Sequence, residues 1–205
     1  MSTRIAGLTG ATLETAPTVC HDCTWWQSRT GRGTDKKKWI RGTEEEWGSW
    51  GTVYYDDDGR LLGSMQYGPS GLFPRANELP AGPPSDDAVL VTCAYLTDPS
   101  KPWVLQSLFL TAIGEARERG GRALEAFAYR YTEAEGSFER FQVHKTIFPS
   151  DFLADFGFVT VRMQGRVELA RLELGGLVPV AEGTREKVLR VVREAFLPAP
   201  APQRN

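Results

Sequence analysis

Hydrophobic and polar residues change their spacing three times between residues 51 and 129, and each change predicts an element. GTVYY, DDDG and RLLGSMQYG read as a β-hairpin turning at Asp58-Gly59, where glycine accepts a positive φ without steric cost. Residues 88–96, AVLVTCAYL, are almost continuously apolar, as a strand buried on both faces should be. After a Pro-containing loop, Val104, Leu105, Leu108, Phe109, Ala112, Ile113 and Ala116 recur at helical spacing, with Glu115, Arg117, Glu118 and Arg119 on the wet side. Gly120-Gly121 stops this helix, and RALEAFAY reads as the next strand.

The flanks are less regular. Residues 1–16 are weakly patterned and expected to be loose. Pro17–Gln27, with Val19, Trp25 and Trp26, reads as a first strand, and Ser28–Asp35 as a Gly- and Arg-rich loop. Thr43-Glu44-Glu45-Glu46 has capping-box spacing ahead of Trp47 and Trp50, which suggests a short helix begun near Asp35 and interrupted at Gly42. Residues 68–87 form a long Gly- and Pro-rich connection, a length associated with function. Ser150 can cap a short helix, DFLADF, stopped by Gly157. Residues 158–163 and 167–174 then read as an antiparallel pair turning at Gly165. The expected organisation is a loose segment (1–16), one domain (17–182), an amphipathic C-terminal helix (183–197) and a disordered Pro- and Ala-rich tail (198–205).

Composition narrows the function. A length of 205 residues fits one domain, and 41% hydrophobic content with six Trp supports a core. The net charge of −2 argues against a nucleic-acid surface. No apolar run approaches the ~18 residues of a membrane span. The start has no apolar secretion-signal region, and three cysteines fit a reducing compartment, so the expected location is cytoplasmic.

Several residues are candidates for chemistry. The strand–loop–helix–strand unit aims the first turn of its helix, after Thr97-Asp98-Pro99-Ser100-Lys101-Pro102-Trp103, at whatever lies beyond the first strand, where unpaired N–H groups favour an anion. Glu125, flanked by apolar residues in a strand, is either a buried base or a solvent-facing carboxylate. Tyr95 can meet a substrate or simply pack the sheet, and His144 can move protons near neutrality or serve as a structural imidazole. Cys20-His21-Asp22-Cys23 has the spacing of half a zinc site but lacks a second half, so two half-buried thiols on an early strand are expected, without metal. Trp25, Trp26, Trp39, Trp47 and Trp50 can line an acceptor pocket or fasten a helix to a sheet. Lys36-Lys37-Lys38 reads as a solvated face.

The order of these elements, and FLADFGFVTVR in particular, resembles the GNAT acetyltransferase superfamily over roughly residues 17–175. The Cys- and Trp-containing segment at 20–26 is similar to an actinobacterial GNAT-like group. The resemblance implies an α/β (α+β) fold with a mixed central sheet of about six to seven strands flanked by helices. It implies acetyl-CoA as co-substrate and an amine, small-molecule or peptide, as acceptor. The family's loop signature, Arg/Gln-x-x-Gly-x-Gly/Ala, aligns Ser100 with the Arg/Gln position and puts Trp103 and Leu105 where small residues belong. Pro102 removes one N–H, and Lys101 returns a positive charge. If Trp103 turns outward, the resemblance implies that Ala94, Tyr95 and Leu96 pair with pantetheine. Lys101, Trp103, Val104, Leu105, Gln106 and Ser107 then surround the pyrophosphate. If Trp103 fills that site, the chain is a GNAT-like binding module without catalysis. The family's acid is often a Tyr on the short helix. DFLADF has none, which leaves Tyr129, Tyr131 and His144 as substitutes, with Glu125 as base and Tyr95 beside the acyl group. A homodimer through the C-terminal helix is a further expectation.

Overall fold

A computed structural model describes residues 4–30, 33–132 and 144–175. The C-terminal helix, the dimer contact assigned to it and the tail lie outside these residues.

Nine strands form one sheet among the described residues. They are β1 (Arg4–Gly7), β2 (Gly51–Tyr55), β3 (Leu61–Pro69), β4 (Ala88–Leu96), β5 (Ala123–Tyr129), β6 (His144–Lys145), β7 (Phe148–Pro149), β8 (Val159–Gln164) and β9 (Val167–Glu173). The main order is β1-β2-β3-β4-β5-β9-β8, with β6 on β4 and β7 on β5. The β4–β5 and β5–β7 pairings are parallel and the others antiparallel. The helices are α1 (Gly10–Leu13), α2 (Thr18–His21), α3 (Lys36–Glu46), α4 (Pro102–Glu118) and α5 (Ser150–Asp155). No helix among the described residues is long and apolar enough to cross a membrane.

The hairpin, β4, α4, β5 and the closing pair form where the periodicity predicts them. In the hairpin turn, Asp56 Oδ1 accepts from the N–H of Asp58 (3.0 Å) and of Arg60 (2.8 Å), and Gly59 takes a φ of 78°. The N-terminal quarter differs. Residues 4–16, expected loose, supply β1, which pairs with β2, and α1, capped by Thr9. The expected strand at 17–27 is instead α2 followed by turns. Trp25 and Trp26 do not alternate across a sheet there; their rings meet edge to face at 4.8 Å. Helix α3 runs through Gly42 without a break because Asp35 caps it at Lys38 N–H, 3.1 Å away.

Two cores sandwich the sheet. On one face α4 and α5 bury Val104, Leu105, Leu108, Phe109 and Phe158 against Val89, Val91, Leu124 and Ala126. On the other, Trp26 and Phe73 pack on Leu90 and Phe127, while Leu13 of α1, Ile40 of α3 and Trp50 ahead of β2 form a further cluster. Each fully buried large apolar side chain contributes about 1.5–3 kcal/mol. One extra residue sets which β4 side chains reach which face. The β3–β4 register jumps from Gln66↔Cys93 to Tyr67↔Val91, leaving Thr92 as a bulge whose hydroxyl donates to Gln66 Oε1 at 3.0 Å. Below the bulge Val89 and Val91 face α4. Above it Ala94 and Leu96 do, and Cys93 and Tyr95 turn to the opposite side.

Candidate functional site

The site begins where β4 and β5 part. Their parallel register runs from Ala88↔Ala123 to Val91↔Ala126 and then stops. Beyond it each strand takes a different partner. Ala94 and Tyr95 of β4 pair with Lys145 and His144 of β6, and Ala128 and Tyr129 of β5 pair with Phe148 and Pro149 of β7. The stretch 144–149 therefore lies in the divergence. Phe148 is fully buried there and meets the Phe109 ring edge to face at 5.1 Å. Phe152 and Phe156 of the α5 segment stand 5.2 and 5.3 Å from the same ring.

The start of α4 is the second part. Asp98 organises its loop: Oδ1 accepts from Ser100 N–H at 2.9 Å and from Ser100 Oγ–H at 2.6 Å. These Ser100 hydrogen bonds hold the Asp98 carboxyl below its usual range. Lys101 Nζ lies 3.5 Å from the other oxygen, so the loop's cation is already matched by a fixed anion. Trp103 turns away from the divergence and meets Tyr54 of β2 edge to face at 5.6 Å. The indole thus packs the helix start. Gly63 lets β3 come this close: a Cβ there would lie 2.8 Å from Tyr95 O and 3.0 Å from Val104 Cγ1.

Several of the residues expected to hold acetyl-CoA have other partners here. The Ala94–Tyr95 edge expected to pair with pantetheine is paired with β6. The N–H of Val104 goes to Lys101 O at 3.0 Å. Because α4 begins at Pro102, the N–H groups of Gln106 and Ser107 fall in the helix ladder and cannot cradle a phosphate. Val104, Leu105 and Ser107 are buried.

The proposed acid–base residues are not gathered in one place. Tyr95 and β6 meet at the divergence, where His144 is the register partner of Tyr95; the His144 side chain lies outside the described residues. Glu125 pairs with Leu90, five residues before Tyr95 on β4, which is about 16 Å along the strand. Glu125 is neither solvent-facing nor free. It is 0% exposed, and its carboxylate accepts from Ser85 N–H (2.8 Å), Ser85 Oγ–H (2.7 Å) and Arg171 Nη1 (3.1 Å). Arg171 also donates to both oxygens of Asp87, at 3.0 and 3.2 Å, which holds Asp87 below the usual carboxylate range. This network staples the segment before β4 to β5 and β9. Tyr129 and Tyr131 meet edge to face, 4.9 Å between centroids.

On the face away from α4, a cavity of about 40 Å³ opens beside Tyr95. All three cysteines, Cys20, Cys23 and the distant Cys93, line it together with Lys36, Trp26 and Trp50. Lys36 is a correction to the solvated face: it is buried, with Nζ 4.9 and 5.1 Å from the Trp39 and Trp50 ring centroids. Cys20 lies in a helical turn and not on an early strand. Among the described residues no group of three or more His, Cys, Asp or Glu side chains is arranged to hold a metal ion. The tryptophans divide between the two expected roles. Trp25, Trp26 and Trp50 line the cavity, while Trp39 fastens α3 through Nε1–H to Leu72 O at 3.1 Å. Sequence reasoning missed Phe148, Ser85 and Arg171, none of which stands in a motif.

No family model matches the chain, and no protein of curated function matches it in sequence. Solved structures do match. An N-acetyltransferase from Staphylococcus aureus Mu50 superposes with a TM-score of 0.50 at 15% identity, over 85% of this chain and 99% of that one. The GNAT domain of S. lividans PAT superposes with a TM-score of 0.51 at 15% identity, over 84% of this chain and 90% of that one. The chain thus has the fold of the GNAT acetyltransferases.

Proposed function

We propose that the chain is an N-acyltransferase that moves an acetyl group from acetyl-CoA to a primary amine. The observation that supports this is the parting of β4 from β5 after Val91 and Ala126, ahead of the first turn of α4, within a GNAT fold. Parting parallel strands offer backbone donors and acceptors to an extended amide chain, as an exposed sheet edge does to a peptide. The reading requires residues 144–149 to release the edges of β4 and β5. The buried cavity beside Tyr95 is then the acceptor side.

A second reading, a binding module that does not use CoA, is favoured by the pairing of those same edges and by the burial of Phe148 between them. One experiment separates the two. Acetyl-CoA is titrated calorimetrically into the full chain and into Phe148→Ala, with hydrogen exchange followed at residues 144–149. Acyl transfer predicts binding by the parent with faster exchange in that stretch, and tighter binding by the variant. No heat from either protein at millimolar acetyl-CoA overturns the transferase and leaves the module.

A further inference from the structure

We infer that the cavity on the face of the sheet away from α4 is a binding site for a small carboxylate, with Lys36 as its charge partner. The cavity wall carries a cation that nothing else neutralises. Lys36 is 9% exposed and has no ion pair or hydrogen bond among the described residues, only the two tryptophan faces beneath it. Attraction to aromatic faces does not offset the desolvation of a buried ammonium.

The same wall carries unsatisfied donors. Trp26 Nε1, Gln27 Nε2 and Trp50 Nε1 are buried without a partner, and their residues are 2%, 5% and 2% exposed. Each such orphan leaves the desolvation of a buried donor uncompensated. A buried cation and three buried donors on residues that line one apolar cavity call for an acceptor-rich anion. The Cys20 and Cys93 thiols do not supply it. Burial pushes Cys20 up and Cys93 up to about 12, so both stay protonated near neutrality. Burial likewise holds Lys36 below the usual lysine range, and an anion beside it favours the charged form.

Size and charge select the class of anion. A volume of about 40 Å³ holds about three water-sized centres. That admits a carboxylate group with a short alkyl stem and excludes a nucleotide. A phosphate dianion would bring two charges against one lysine between apolar walls. The remaining wall, Leu8, Leu13 and Ala16, suits a stem of one to three carbons. Tyr95 borders the cavity as well, but the site stands whether or not CoA binds, and its test contains no CoA.

The test uses the full chain at pH 7, with tryptophan fluorescence and calorimetry as readouts. Sodium acetate, propionate and butyrate are titrated against matched sodium chloride and against butyramide, the neutral counterpart of butyrate. The expected result is saturable binding that strengthens from acetate to butyrate, with butyramide at least tenfold weaker. Lys36→Met, which removes the buried charge and keeps a similar volume, should fold and lose butyrate affinity at least tenfold. Trp50→Phe, which removes one donor, should lose several-fold, and keeps the test decisive if Lys36→Met does not fold. Raising the pH to 10 should weaken binding to the parent. An equal response to butyrate, butyramide and chloride, or undiminished binding by a folded Lys36→Met, overturns the site and leaves a hydrated cavity.

Discussion

Removing the Glu125 carboxylate tests whether this residue is a structural staple or a base. Glu125→Ala leaves Ser85 N–H, Ser85 Oγ–H and one edge of the Arg171 guanidinium facing a hole. Taking one partner from a buried ion pair costs about 3–5 kcal/mol. Arg171 is 14% exposed and keeps Asp87 and Glu173, so Glu125→Ala belongs at the lower end, about 3 kcal/mol. Arg171→Met should cost more, about 4–5 kcal/mol, because it leaves a fully buried carboxylate with two neutral donors. Glu125→Gln keeps an acceptor oxygen and loses the charge, for about 1–2 kcal/mol. The expected order of damage is Arg171→Met, Glu125→Ala, Glu125→Gln. Urea unfolding followed by far-ultraviolet circular dichroism and tryptophan fluorescence measures it, with m held constant across the set. The double variant should lose less than the sum of its singles, since the two residues share one interaction. A loss below about 0.5 kcal/mol for Glu125→Ala, or Arg171→Met milder than Glu125→Ala, refutes the staple. Any acyl transfer found should survive Glu125→Gln, whereas loss of a general base costs about 10²–10⁴-fold.

Three other outcomes follow from the same contacts. Phe148→Ala should lower stability by about 3–4 kcal/mol in urea, as expected for a large buried ring. Arg119→Met should cost about 2–3 kcal/mol by thermal melting, because Arg119 donates to Trp47 O (3.1 Å), Ser49 O (3.0 Å) and Ser49 Oγ (2.6 Å) and stacks on Trp47; Arg119→Lys should recover less than half. Above its ordinary value of 9.0 the Cys93 thiol ionises in the unfolded chain, but burial keeps it protonated in the folded one up to about 12. The folded state then binds the extra proton, so stability falls as pH rises through that window. Comparing pH 8 with pH 10, Cys93→Ala should lose about 1 kcal/mol less than the parent.

How far the sequence carried depends on whether a feature is local. Apolar spacing is local, and it placed β4, α4 and β5 because a strand buried on both faces and a one-sided helix each leave a pattern along the chain. The N-terminal quarter misled because its tryptophans and cysteines serve packing that no short period describes: Trp26 stacks on Phe127 and Lys36 lies over Trp50. Glu125 was recognisable as unusual, a carboxylate among apolar residues. Its partners Ser85 and Arg171 lie 40 and 46 residues away, so nothing nearby could identify it as a paired charge. The same separation hid the closure of the donor edge. Residues 132–149 carry no period, yet a two-residue pairing at His144–Lys145 and another at Phe148–Pro149 determine whether Ala94 and Tyr95 are available. The indole at the helix start drew attention because it breaks a motif, and the coordinates turn it harmlessly onto Tyr54. The side chain buried where the strands part is instead Phe148, a phenylalanine that breaks no rule. A motif states which residues a ligand needs; it does not state what else in the chain can occupy the same place.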